Sequence, residues 1–174
     1  MVFDMKNVLF SLISLGLLLT GCKEEPKISS IDPVNWQKRS VAREPLDSAV
    51  KGTTYLPIYS QIYSESEHRI HDLAATVSMR NTSRTDTIYV RNAEYYNTAG
   101  NLIRSYFDQM IFIAPMETVE IVIDQVDREG GSGANFMFDW IAKTESNEPF
   151  FEAVMISTLS TQGISFTSRG IRVH

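Results

Sequence analysis

Over residues 53–173 the apolar side chains recur at alternate positions in short runs closed by turn-forming residues, and this period of two confines the chain to β-structure. Successive side chains of a strand point to opposite faces, so each run supplies one face to a core and one to solvent. Leu73, Ala75, Val77 and Met79 alternate with small or polar residues in the clearest case. Residues 87–96, rich in β-branched and aromatic side chains, pass through Thr98-Ala99-Gly100-Asn101 into residues 102–107, which predicts a hairpin. Further strands are expected over 53–63, 111–114, 118–126, 134–142, 150–158 and 163–173, the last broken near Gly170. Phe136, Phe138 and Trp140 share one face and are expected at the centre of the core. No helical period lasts after the opening segment. The expectation is an all-β fold, a single antiparallel β-sandwich of immunoglobulin-like kind with about seven or eight strands, a closed barrel being the alternative.

The opening residues read as a secretory signal. Lys6 precedes the apolar run 8–19, and small Gly21 stands at the expected cut. Asp4 is unusual in such a leader, and Met5-Lys6-Asn7 makes the cleaner start. The run is shorter than the roughly 20 apolar residues a transmembrane helix needs. Cys22, the only cysteine, directly follows Leu19-Thr20-Gly21, a pattern that resembles the bacterial lipobox. The resemblance implies a diacylglycerol on the Cys22 thiol, cleavage after Gly21 and acylation of the freed amine. More than one acyl chain is what stable anchoring requires. The Lys23-Glu24-Glu25 run that follows resembles the surface-export signal of lipoproteins in the Bacteroidetes, against the plainer reading of a solvated charge run. The expected location is therefore the outer membrane, on its outer surface if the export reading holds and facing the periplasm otherwise.

Three domains of behaviour follow: a signal peptide over 1–21, a lipidated flexible tether over 22–52 and the β-sandwich over 53–174. Pro26, Pro33 and Pro45 interrupt the polar tether, whose 30 or so residues would span roughly 30 Å. Trp36 is its exception, because a solvated indole is costly, and it is expected to dock on the chain's own domain. With Cys22 committed to lipid, no thiol remains for a disulfide or a zinc site, so stability must come from the core. A net charge of −5 with scattered basic residues excludes a nucleic-acid footprint.

The candidate sites are weak as chemistry. Tyr55, Tyr59 and Tyr63 fall on one face of the run 53–63 and could form a binding rail, although strand aromatics more often pack under a neighbour. Gly130-Gly131-Ser132-Gly133 suggests a phosphate cradle, but the following run is a strand, and such cradles open helices. A loop with glycines at positive φ is the better reading. Asp124, Asp127 and Glu129 offer oxygens to calcium without the spacing of an EF-hand loop. His68-Arg69-Ile70-His71-Asp72, read as a loop, places two imidazoles three apart beside a carboxylate, raw material for a metal site or general base. No Gly-x-Ser-x-Gly elbow is present. Asp47-Ser48-Ala49 and Asp86-Thr87-Ile88 resemble the O-glycosylation pattern of secreted Bacteroidetes proteins.

Tyr55-Leu56-Pro57-Ile58-Tyr59-Ser60, Arg80-Asn81-Thr82, Gly130-Gly131-Ser132-Gly133-Ala134-Asn135-Phe136 with Trp140, Glu152-Ala153-Val154-Met155 and Gln162-Gly163-Ile164-Ser165-Phe166 together resemble the bacterial lipoprotein family known as domain of unknown function 3124. The resemblance implies an envelope lipoprotein and supplies no activity, cofactor or site residue. Two functional readings stand. The first is a lipid-anchored, non-catalytic module, with no cofactor, that binds a partner protein or glycan or serves a larger assembly. The second is a metal-dependent hydrolase of envelope or extracellular polymers using His68, His71 and Asp72.

Overall fold

The computed structural model describes residues 33–42, 49–158 and 163–174. After a short helix, α1 (Pro33–Arg39), come β1 (Val50–Ile58), β2 (Gln61–Ser64), β3 (Ser66–Asp72), β4 (Ala74–Arg80), β5 (Ile88–Tyr96) and β6 (Leu102–Ser105). They are followed by β7 (Ile111–Ile113), β8 (Thr118–Ile123), β9 (Ala134–Ala142), β10 (Phe150–Ser157), β11 (Ile164–Arg169) and β12 (Ile171–Arg172). A six-stranded sheet runs β12-β1-β9-β5-β6, with β7 also paired to β5, and a four-stranded sheet runs β11-β10-β4-β8. Every pairing is antiparallel, and β2 with β3 forms a separate ribbon. The two sheets do not close into a barrel, so the sandwich expectation holds.

The central strand β9 shows why the sheets stack. Ala134, Phe136, Phe138 and Trp140 point inward and are buried, while Asn135, Met137 and Asp139 point outward and stay half-buried. Phe136 stacks on Tyr95 at 4.9 Å and on Phe138 at 5.3 Å, and Phe138 stacks on Phe151 of the opposite sheet at 4.3 Å. Leu56, Ile58, Val77, Met79, Val90, Ile121 and Met155 complete this interior. The face of β9 expected at the core centre is there.

Twelve strands form among the described residues where seven or eight were expected: two runs are divided, and a segment expected as loop forms a strand. Run 53–63 breaks at Tyr59-Ser60, where Ser60 N–H donates to the Gly131 carbonyl at 3.0 Å and the Ser60 carbonyl accepts from Leu73 N–H at 2.8 Å. The chain there leaves the six-stranded sheet for the ribbon, and the segment 68–72 expected as loop becomes part of β3. Run 163–173 breaks at Gly170 as expected, and the break carries the chain from β11 in one sheet to β12 in the other. Gly170 N–H donates to the Phe151 carbonyl at 2.9 Å at that crossing.

Within the segment expected to be tether, residues 33–42 are ordered on the domain. Proline suits a first helical position, where its missing N–H is no loss, and α1 opens on Pro33. Trp36 is buried and lies 5.2 Å from the Phe107 ring, so its docking on its own domain is as expected. Arg39 pairs with Glu117 at 2.7 Å, and Val41 N–H donates to the Met110 carbonyl at 2.7 Å. The Arg39 hydrogen bond holds the Glu117 carboxyl below its ordinary range. The absence of any helix beyond the leader is thus corrected: about two turns of helix form because Trp36 has an apolar site to fill.

Candidate functional site

The outward side chains of three adjacent strands form a block on the six-stranded sheet. Register places Thr53, Asp139 and Asn92 in one row, Tyr55, Met137 and Glu94 in the next, and Pro57, Asn135 and Tyr96 in the third. All nine are half-buried. A bulge at Arg91 in β5 makes the first row possible, since it resets the alternation and turns Asn92 outward. Thr53 donates to one Asp139 carboxylate oxygen at 2.7 Å and Asn92 donates to the other at 2.9 Å. Tyr96 O–H donates to Glu94 at 2.6 Å, and that bond, with burial second, pushes the Tyr96 phenol up to about 12. Five of the nine side chains are thus held by hydrogen bonds within the block.

Beyond Asn92 and Asp139 the block opens into a cleft of about 760 Å³, lined also by Arg91, Asp108, Gln109 and Met110. The loop carrying Asp108 and Gln109 separates it from a smaller cleft of about 320 Å³ against Trp36, Tyr106 and Phe107. Hydroxyls, amides and two carboxylates, set among two tyrosine rings, can accept and donate many directional hydrogen bonds while offering flat apolar plates.

A family model described as Protein of unknown function (DUF3124) matches residues 51–173. The chain belongs to this family. A search of curated proteins finds no match. The solved structure titled "Crystal Structure of Thermotoga maritima 1070" is similar over 69% of this chain and 92% of that one, with a TM-score of 0.44 and 8% identity.

The DUF3124 domain separates the tyrosines read as a rail. Tyr55 belongs to the block, Tyr59 packs edge-on against Phe166 at 5.7 Å, and Tyr63 stands on the ribbon opposite Ile70. Strand pairing, not tyrosine spacing, chose the partners of Tyr55. Asn92, Glu94, Tyr96, Asn135 and Asp139 were missed as a set. Their signal was the polar residues at 92, 94 and 96 and at 135 and 139, legible only once β5 and β9 are known to be neighbours.

The acidic candidates part company. Asp127 is buried and lies 2.8 Å from the Arg104 guanidinium, which also reaches Glu129 at 3.1 Å, while the Asp124 carboxylate accepts from Val126 N–H at 3.1 Å. A guanidinium thus occupies the side of Asp127 that a cation would use. The neighbouring glycines are structural in their geometry: Gly131 has φ +73°, and a Cβ on Gly130 would fall 2.0 Å from the Tyr95 hydroxyl. Thr98 closes the loop, donating to the Gly130 carbonyl at 3.0 Å and accepting from Gly133 N–H at 2.9 Å. Gly131–Gly133 themselves form a 3-10 turn, and β9 follows directly.

The histidine group is not assembled either. His68 is solvated beside Glu67 at 3.4 Å, whereas His71 lies opposite Ile62 across the ribbon. Side chains three apart on a regular strand leave on opposite faces. Asp72 accepts from Arg128 at 2.5 Å and from Gln61 at 2.9 Å. Among the described residues no group of three or more His, Cys, Asp or Glu is placed to hold a metal. Asp86, of the second glycosylation pattern, has its carboxyl held below the ordinary range by hydrogen bonds from Lys143 and Asn147. Gly21, Cys22, Lys23, Glu24, Glu25, Asp47 and Ser48 lie outside the described residues. No helix among those described is long and apolar enough to cross a membrane.

Proposed function

We propose that this DUF3124 member is a lipid-anchored protein of the bacterial outer membrane whose sandwich is a non-catalytic binding module, taking a partner protein or glycan on the outward block of the six-stranded sheet. The observation that carries the binding role is the prearranged row Thr53–Asp139–Asn92 beside the tyrosine rings of Tyr55 and Tyr96. Fixed side chains lose little freedom on binding, which is how a shallow face gains affinity. The leader ending in Gly21, with Cys22 after it, supports the anchor, and Lys23-Glu24-Glu25 supports export to the surface.

The test joins address and face. In cells expressing the full chain, Cys22→Ser is expected to move the protein from the membrane fraction to the soluble fraction. A photo-cross-linking amino acid at Met137 is expected to give an adduct in intact cells that the same amino acid at His68, on the ribbon, does not give. Retention of Cys22→Ser in the membrane would defeat the anchor. Equal adducts from both positions, or none from Met137, would defeat the binding face.

A further inference from the structure

We infer that the ligand of the outward block is a neutral oligosaccharide, a step that rests on this block being the binding face. The chemistry of the nine side chains carries it. Two half-buried carboxylates, Glu94 and Asp139, flank the central Met137 among hydroxyls and amides. Among the described residues neither carboxylate is saturated: Asp139 accepts one hydrogen bond on each oxygen and Glu94 accepts one from Tyr96, while a carboxylate has about four acceptor positions. Ligand hydroxyls can fill the remainder. Asn135 and Asn92 add amides that donate and accept, matching a ring whose every hydroxyl does both.

The aromatic plates agree in placement. Tyr55 and Tyr96 lie two strands and one row apart, roughly 10 Å across and 7 Å along the strands, which suits successive rings of one chain better than a single small molecule. Pro57, Met137 and exposed Leu102, paired with Tyr96, extend the apolar surface between and beside them. Charge then decides among sugars. A sulfated, phosphorylated or uronic polymer would meet Glu94 and Asp139 beside Met137, in a block whose nine residues include no Lys or Arg, so anionic chains are disfavoured and neutral ones fit. The open cleft at Arg91, Asp108 and Gln109 continues the block and gives a longer chain somewhere to run.

The experiment applies the full-length lipidated protein, in detergent, to an array of neutral, anionic and cationic oligosaccharides. Retention of neutral oligosaccharides is expected, weakened at least tenfold by Tyr55→Ala and by Asp139→Asn. Tyr55→Phe, which keeps the plate, should weaken it less than threefold, and Tyr63→Ala on the ribbon should leave it unchanged. Melting curves of each variant show that folding is retained. Preference for anionic sugars, or loss in Tyr63→Ala equal to that in Tyr55→Ala, would overturn the inference. No retained sugar, with the Met137 cross-link still joining a protein in cells, would overturn it while leaving the binding face intact; failure of both would remove the two together.

Discussion

At the scale of single residues, the end of the sandwich beside the glycine loop concentrates the buried polarity. The Tyr95 hydroxyl shares a 2.7 Å hydrogen bond with Ser60, and the Arg104 guanidinium lies 5.8 Å from the Tyr95 ring centre and 6.0 Å from that of Tyr106. Arg104 and Asp127 are expensive to desolvate, and removing either would leave the other charge buried without its partner. Gly130 is required by closeness to Tyr95 rather than by a ligand. Burial, above all, pushes the Tyr95 phenol up to about 12, with the Ser60 hydrogen bond opposing. The unfolded chain releases this proton near 10, so the native state holds more protons between 10 and 12. The contribution of Tyr95 is complete below pH 10 and lost as pH rises to 12, about 2 to 3 kcal/mol in all. Denaturant titrations at intervals from pH 9 to 12 should show that fall, and Tyr95→Phe should reduce it, with Tyr96, also raised to about 12, supplying part of the remainder; an equal fall in the variant would assign it to other groups.

At the scale of elements, α1 and the residues after it behave as a strap. Trp36 fills a site against Phe107, Arg39 ties to Glu117, and Ser40 bridges to Ile111 at the edge of β7. These contacts are few compared with those of a strand inside either sheet, so the strap is expected to open without the sandwich unfolding. Trp36→Ala should raise tryptic cleavage at Lys38 and Arg39 at least tenfold while shifting the melting temperature of the domain by no more than about 4 °C. A larger shift would make the strap part of the cooperative core. Folding takes up 33–42, so the segment expected as tether over 22–52 includes residues that belong to the domain.

At the scale of the whole molecule, the two sheets are joined through one aromatic column. Tyr95, Phe136 and Phe138 come from the six-stranded sheet, and Phe151 comes from the four-stranded sheet. Phe138→Ala removes the member touching both sheets and should cost about 3 to 5 kcal/mol in chemical denaturation, since large-to-small changes in a filled core add a cavity to the lost transfer energy. Tyrosine and tryptophan emission should still change together. Separate transitions would mean the sheets fold as independent units.

The sequence by itself determined the strand character, the β5–β6 hairpin, the inward face of β9 and the break at Gly170, because alternation and turn chemistry act over a few neighbouring residues. It also singled out Trp36, since an indole in a polar stretch needs a partner whatever the fold. The tertiary structure alone decided that run 53–63 divides at Ser60, since the bonds from Gly131 and Leu73 that draw it aside come from distant segments. It alone made 68–72 a strand by giving it β2 to pair with, and set Arg104 against Asp127. The block of Thr53, Asp139 and Asn92 belongs to this second class. Its members are up to 86 positions apart, and only the order in which β1, β9 and β5 pair makes them neighbours.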